Sequence, residues 1–325
     1  KRTWVDRKYI HVYIYICCCC TCSFTYWSFI HSQMEDIATQ ENNRHCAMVD
    51  VHTHLTDSRL IQTISDVIDR ALAKNVLAAL VVTESFADFE PVMELYKRFP
   101  KFVLPCLGIH PVQSTGAADN NGIEIKRSVS LEDYDGVEAV IEKYVDVIGA
   151  VGEIGLDFTP RFCKTTDDKE TQKLILTKQV QLAQKYDLPV NVHSRSAGKQ
   201  TIQILKELGA RNVLLHAFDG RQSVAMEGVS SGFYFSVPAS ICRDEQIQKM
   251  VKNLPLERLM LETDSPAIAP VKGAVNEPSN ILISCEHISR IKNVDIECVK
   301  RITTENAVKM FPRLKALIEL WHENV

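Results

Sequence analysis

Eight consecutive residues, Met48 to Leu55, combine residue types that can bind a metal ion. They read Met-Val-Asp-Val-His-Thr-His-Leu, and this alternation of apolar and polar residues predicts a β-strand. Side chains two residues apart point the same way along a strand, so Asp50, His52 and His54 would share one face. Two imidazoles and a carboxylate on one face form half of a metal site. A His-x-His pair alone is equally consistent with hydrogen-bonded surface histidines, so the rest of the chain must decide.

The composition is that of an ordinary soluble globular protein. The chain has 325 residues, of which 46% are hydrophobic and 24% charged. A net charge of -4 argues against a wholly basic nucleic-acid surface but permits a local basic groove or a small anionic substrate. Outside residues 17–22 the cysteines are scattered without Cys-x-x-Cys spacing, as in a reduced intracellular protein. We therefore expect an intracellular location, cytoplasmic or nuclear.

The first part of the chain does not share this globular pattern. Residues 9–31 contain no Lys, Arg, Asp or Glu, and their length would permit a membrane helix. A secretory signal fits less well because there is no clean small-residue cleavage site. The aromatic and β-branched bias, the run of cysteines and the first methionines at 34 and 48 favour a disordered or mis-extended leader instead. We predict a leader over residues 1–46 and one folded domain over residues 47–325.

From Ala47 onward, buried strands alternate with amphipathic helices. Short apolar runs separated by segments of helical period predict eight strands. These span residues 48–55, 77–82, 102–108, 145–151, 189–193, 213–216, 233–237 and 258–262. Residues 114–130 read as a polar loop and residues 131–144 as a helix. The alternative, an open doubly wound sheet, is weakened because no glycine-rich dinucleotide loop follows the first strand. Eight βα units predict a closed (β/α)8 TIM barrel.

Metal-binding residue types lie at the carboxyl ends of these strands, where a barrel holds its active site. In chain order they are His52, His54, His110, Glu153, His193, His216 and Asp264. Each one alone could be a core histidine, a loop carboxylate or a turn cap, but their joint occurrence favours a metal site. Four histidines and two carboxylates suit two ions. We expect His52, His54 and Asp264 to bind one ion and His193 and His216 the other. Glu153 would bridge them, and Asp264 could also act as general base.

Four further residues have open roles. Arg195 lies two residues after His193, so its guanidinium could bind a substrate phosphate, although a surface salt bridge is an equal alternative. His110 could contact a substrate phosphate or support the metal ligands, and we do not expect it to be a ligand itself. Asp50 could orient the histidines of the first strand or make a structural hydrogen bond. Asn306 has no assigned chemical role.

Several short motifs together resemble the TatD family of metal-dependent hydrolases, over most of the chain from Ala47 to about Phe311. They are Val-Asp-Val-His-Thr-His-Leu, Gly-Ile-His-Pro, Gly-Glu-Ile-Gly-Leu-Asp, Val-His-Ser-Arg, Leu-His-Ala-Phe-Asp-Gly and Glu-Thr-Asp-Ser-Pro. The resemblance implies an amidohydrolase-type barrel with two divalent ions that hydrolyses phosphodiester bonds of DNA, often from the 3′ end. It also implies the same six ligands: His52, His54, Glu153, His193, His216 and Asp264. The segment before Met34 matches nothing in the family.

The expected function is therefore that of a divalent-metal-dependent deoxyribonuclease, with Asp264 and Glu153 as catalytic residues. Histidine-rich ligation suits zinc, while Mg²⁺ or Mn²⁺ could support activity. DNA ends or another phosphate ester would be the substrate, with no obligate protein partner and no membrane contact for the barrel. One alternative is hydrolysis of a smaller ester, amide or phosphate, including aminoacyl-tRNA deacylation. Another is a metal-bearing binding module without catalysis, against which the intact Asp264 counts.

Overall fold

The computed structural model describes residues 47–119 and 121–322, and the predicted leader lies outside them. The strands of this part are β1 (Met48–Thr53), β2 (Val76–Val82), β3 (Val103–Leu107), β4 (Val112–Ala118), β5 (Glu124–Ser128), β6 (Ala150–Asp157), β7 (Val190–Arg195), β8 (Val213–Leu215), β9 (Tyr234–Val237) and β10 (Leu259–Leu261). The helices are α1 (Ser58–Ile61), α2 (Ile64–Leu72), α3 (Phe89–Arg98), α4 (Val137–Lys143), α5 (Thr166–Lys185), α6 (Gly198–Glu207), α7 (Gln222–Ser230), α8 (Glu245–Asn253), α9 (Ile281–Lys292), α10 (Ile296–Met310) and α11 (Leu314–His322). None of these described helices combines the length and apolarity needed to cross a bilayer.

Eight parallel strands form one sheet in the order β1-β2-β3-β6-β7-β8-β9-β10. Helices lie between successive strands, which confirms the predicted TIM barrel. The last strand meets the first mainly through the segment that follows β10. There the amide of Asp264 donates to the carbonyl of His52 at 2.9 Å, and the amide of His54 donates to the carbonyl of Ser265 at 2.7 Å. These bonds place Asp264 directly beside the two histidines of the first strand.

Local capping explains where several helices begin. The Thr165 hydroxyl accepts from the amide of Asp168, and the Asp168 carboxylate accepts from the amide of Thr165, so a capping box starts α5. The side chain of Asp244 accepts from the first-turn amides of α8, and Asp295 does the same for α10. Capping satisfies donors that a helix leaves free at its N-terminus.

Three local predictions were wrong. Residues 114–130 contain the antiparallel hairpin β4–β5 rather than only a polar loop, with Asp119 accepting from the amides of Asn121 and Ile123. The fourth barrel strand runs from Ala150 to Asp157, further along the chain than residues 145–151. The helix predicted over residues 131–144 is divided, because Gly136 adopts a positive φ of 78° between a 3₁₀ turn and α4. Polar composition does not show that two segments pair as a hairpin, and helical period does not show that a single residue interrupts a helix.

The amino end of the barrel is closed by apolar side chains at the junction between the last two helices. Phe311 and Leu314, both fully buried, join a cluster with Leu80, Leu104 and Met260. A larger cluster packs the strands against the surrounding helices. The burial of this apolar surface supplies the main stabilisation of the fold and leaves the opposite end of the strands for polar groups.

Candidate metal centre

The six residues predicted as metal ligands lie together at the carboxyl end of the barrel. They come from five strands or the residues just after them: His52 from β1 and His54 just after it, Glu153 from β6, His193 from β7, His216 after β8 and Asp264 after β10. Five of them are buried, and only His54 is partly exposed, with 17% of its side chain open to solvent. The barrel therefore brings distant parts of the chain to one small polar site.

Glu153 lies at the middle of this group. Its Oε1 atom is 2.9 Å from Nδ1 of His193 and 2.8 Å from Nε2 of His216. Its Oε2 atom faces the other way, 3.5 Å from Nε2 of His52 and 3.4 Å from Nε2 of His54. Each carboxylate oxygen thus faces a different pair of imidazoles. This is the arrangement that a carboxylate bridging two ions requires.

Asp264 also lies close to His52 and His54. Its Oδ1 atom lies 3.3 Å from Nε2 of His54 and 3.7 Å from Nε2 of His52. Asp264 has a positive φ of 54°, in the left-handed region that non-glycine residues rarely adopt. The backbone bond to His52 described above helps to hold it there. Such strain is concentrated at functional sites.

The charges of the cluster follow from competition between burial and neighbouring groups. Burial raises the pKa of Glu153, but the surrounding imidazoles bring it well below its usual value. The pKa of Asp264 is also lowered, because its hydrogen bond with His54 and the nearby imidazoles outweigh burial. Burial and the proximity of His52 lower the pKa of His216 to about 3. Two ionised carboxylates are therefore buried together, and they raise the pKa values of His52, His54 and His193, although burial lowers them, because the pair attracts positive charge.

The donor atoms around His52 and His54 suit a divalent ion. Two ligand atoms that each lie about 2.1 Å from one tetrahedral ion are about 3.4 Å apart. The two Nε2 atoms lie 3.3–3.7 Å from the facing oxygens of Glu153 and Asp264, which agrees with that spacing. Moreover, the buried Nε2 of His52 has no hydrogen-bond partner among the described residues. An imidazole nitrogen without a partner, facing two carboxylates, fits a metal ligand.

The second group of donors lies closer together. Nδ1 of His193 and Nε2 of His216 are 3.2 Å apart, and both are within 2.9 Å of Oε1 of Glu153. These are hydrogen-bond distances, so the three groups would have to separate slightly to admit an ion. The donor types nevertheless suit a divalent transition metal.

His110 and Arg195 lie at the edge of the cluster. Nδ1 of His110 accepts from the amide of Val112 at 3.0 Å, and its Nε2 lies 3.6 Å from Oε1 of Glu153. Burial lowers the pKa of His110. Arg195 is exposed and lines a cavity of about 170 Å³ beside His193 and His216. Its guanidinium forms no ion pair or hydrogen bond within the described part of the chain, so the salt bridge considered as an alternative is not present there.

Asp50 acts on the backbone rather than on the imidazoles. Its carboxylate accepts from the amide of His52 at 3.3 Å and from the amide of Thr263 at 3.0 Å. Burial raises its pKa to about 7, although these bonds oppose the rise. Asp50 thus joins β1 to the residue that precedes Asp264, across the seam where the barrel closes.

Sequence reasoning did not single out three polar residues that support the cluster. Asn191 accepts from Nδ1 of His52 at 2.8 Å, Asp157 lies 3.5 Å from Nε2 of His193, and Glu262 lies 3.8 Å from Nδ1 of His216. A period-two signal could have found two of them, because Asn191 precedes His193 by two residues and Glu262 precedes Asp264 by two. Their partners across the barrel could not be read from spacing.

A (β/α)8 barrel with clustered imidazoles and carboxylates at its carboxyl end defines the class of metal-dependent hydrolases. The family model described as "TatD related DNase" matches residues 49–312, and the chain belongs to this family. It is 50% identical to human deoxyribonuclease TATDN3 over 272 residues, covering 84% of this chain and 97% of that protein. It is 32% identical to YabD of Bacillus subtilis, named an uncharacterized metal-dependent hydrolase, covering 81% and 98% of the two chains. The crystal structure of YJJV, a TatD homologue of Escherichia coli, superposes with a TM-score of 0.71 at 24% identity, covering 82% and 99%. The protein is therefore an enzyme of the TatD hydrolase family.

Proposed function

We propose that the protein is a deoxyribonuclease that uses two divalent ions to hydrolyse phosphodiester bonds, acting from the 3′ ends of DNA. The observation that carries this proposal is the position of Glu153, whose two oxygens face two separate imidazole pairs. The name of the human relative supports the choice of DNA as substrate. His52, His54 and Asp264 would hold one ion, His193 and His216 the other, and Glu153 both.

The side chains around the centre have distinct parts in this proposal. Divalent ions held by such donors would make hydroxide available near neutral pH and would offset the charge that develops on a phosphate. Asp264 is ionised, because its pKa lies below the ordinary value, and so it can take up the proton of the attacking water. Arg195 lines the cavity without a hydrogen bond or ion pair to another described residue, and it would bind a phosphate oxygen through its paired N–H groups. His110 would offer Nε2 to the same phosphate.

The proposal extends to cofactor and location. The four imidazoles suit Zn²⁺, whereas Mg²⁺ or Mn²⁺ would support activity on a phosphate substrate. The substrate would be a DNA end or another phosphate ester, and no obligate protein partner is required. Five described cysteines are free, which supports a reducing compartment such as the cytoplasm or nucleus.

The decisive experiment measures hydrolysis of single-stranded DNA with a free 3′ end, separately with Mg²⁺, Mn²⁺ and Zn²⁺. Glu153→Gln and Asp264→Asn should each lower kcat by about 100-fold or more, the range expected for a lost general base. Asp146→Asn, an exposed change at the amino end of β6, should leave the rate unchanged. A 3′-blocked oligonucleotide should resist digestion. Wild-type inactivity with all three metals, or unaltered rates in both variants, would exclude the proposal.

A second candidate is hydrolysis of a smaller ester, amide or phosphate, including an aminoacyl ester of tRNA. The cavity beside the centre favours it, because its volume is only about 170 Å³. A panel of phosphate monoesters, amides and aminoacyl esters, assayed beside DNA, separates the two. Turnover of small substrates alone would support this second function over the nuclease.

A further inference from the structure

His193 lies between two buried carboxylates. Its Nδ1 atom is 2.9 Å from Oε1 of Glu153, on the side of the candidate metal centre. Its Nε2 atom is 3.5 Å from Oδ2 of Asp157, on the opposite side. Asp157 is 1% exposed, and Nε2 of His193 has no hydrogen-bond partner within the described residues. The carboxylate of Asp157 therefore faces an imidazole nitrogen that needs an acceptor.

Asp157 is held firmly in this position. Its Oδ1 atom accepts from the amide of Thr159 at 2.8 Å. The side chain of Gln172, fully buried on α5, binds both backbone groups of Asp157, its Oε1 accepting from the amide and its Nε2 donating to the carbonyl, each at 2.9 Å. A fixed carboxylate thus stands behind His193.

His52 on β1 has a neutral counterpart of Asp157 behind it, supplied by β7. Nδ1 of His52 lies 2.8 Å from Oδ1 of Asn191, whose Nδ2 donates to the carbonyl of Val51 at 2.9 Å. This second bond fixes Oδ1 as the atom that accepts from His52, so the proton stays on Nδ1 and Nε2 keeps its lone pair. His52 is supported by an amide and His193 by a carboxylate. A carboxylate behind a ligand histidine makes the imidazole a stronger donor than a neutral group does.

We propose that Asp157 is a positioning residue for His193, which it holds with the proton on Nε2 and the lone pair of Nδ1 directed at the candidate metal centre. The inference rests on the proposed two-ion function. It implies that Asp157 strengthens the binding of the ion that Glu153, His193 and His216 would hold. The other ion, beside His52 and His54, does not depend on Asp157.

The test is a titration of metal-stripped protein with Zn²⁺ in competition with a chelating dye. Wild type should bind two ions. Asp157→Asn, which places behind His193 the same amide that His52 has, should weaken one ion by about 10–100-fold and leave the other unchanged. The matched control Asp146→Asn should bind both ions as wild type does. Two ions of wild-type affinity in folded Asp157→Asn protein would overturn the proposal.

A second measurement needs no variant. Nitrogen-15 spectra of zinc-loaded wild-type protein should show His193 protonated at Nε2 and unprotonated at Nδ1, with a strongly hydrogen-bonded Nε2 proton, a signature that a purely structural Asp157 would not produce. A proton on Nδ1 alone would overturn the proposal even if Asp157→Asn fails to fold. Failure of the proposed function would be seen separately, as wild-type protein that binds fewer than two ions or cleaves no DNA.

Discussion

The two ends of the barrel satisfy their polar groups in different ways. At the amino end, Asn306 donates to the carbonyls of Leu256 and Leu259, before and at the start of β10. Arg313 likewise donates to two carbonyls that precede β6. At the carboxyl end, buried imidazole nitrogens of three histidines have no hydrogen-bond partner in the described structure. These amino-end side chains thus bind backbone carbonyls. At the carboxyl end, Nε2 of His52 faces the candidate metal centre, while Nε2 of His193 and Nδ1 of His216 face the carboxylates of Asp157 and Glu262.

The two ends therefore have different roles: the amino end stabilises the fold, and the carboxyl end carries the chemistry. A buried polar atom without a partner costs about 1–3 kcal/mol, so a site that keeps several must be supported from elsewhere. The apolar cluster at the amino end supplies part of that support. Changes at the amino end should therefore alter the free energy of unfolding, and changes at the carboxyl end should alter metal affinity.

The largest effect is expected from Phe311→Ala at the amino end. Phe311 is fully buried, and removing its ring should lower the free energy of unfolding by about 3–5 kcal/mol through lost burial and a cavity. Urea unfolding of metal-stripped protein measures the change. Metal affinity of the folded fraction should stay at the wild-type value. A tenfold loss of affinity would contradict the separate roles of the two ends.

An intermediate effect is expected from Asn306→Ala. The change leaves the buried carbonyls of Leu256 and Leu259 without their donor, at a cost of about 1–3 kcal/mol. The same urea titration measures this cost, and zinc affinity should not change. Unaltered stability would show that these two hydrogen bonds do not stabilise the contact between α10 and the start of β10.

No larger effect on stability is expected from Asn191→Ala, the matching asparagine at the carboxyl end. The change leaves the carbonyl of Val51 and Nδ1 of His52 without their partner, at a cost of about 1–3 kcal/mol of unfolding free energy. His52 would lose the acceptor that orients it, so the affinity for one zinc ion should fall by about 10–100-fold. Dye competition measures the affinity. If Asn306→Ala weakened zinc binding as much as Asn191→Ala, the comparison between the two ends would be wrong.

Asn306 and Asp50 show how far the sequence alone could reach. Both residues stand out in the sequence, but their partners lie at segments remote in the chain, the start of β10 for Asn306 and Thr263 for Asp50. Spacing shows that a polar residue follows or precedes a strand. It does not show which carbonyl or amide will lie within hydrogen-bond distance.

Local residue patterns were enough to predict the eight-strand barrel and a group of six side chains at one end of it: His52, His54, Glu153, His193, His216 and Asp264. They were enough because hydrophobic period indicates burial, and because parallel strands bring their carboxyl ends to one edge. The folded structure was needed to show that Glu153 faces two imidazole pairs, that Asp157 and Asn191 support different histidines, and that residues 114–130 contain a hairpin. These depend on distances between strands and on strand twist and register, which no local pattern of residues encodes.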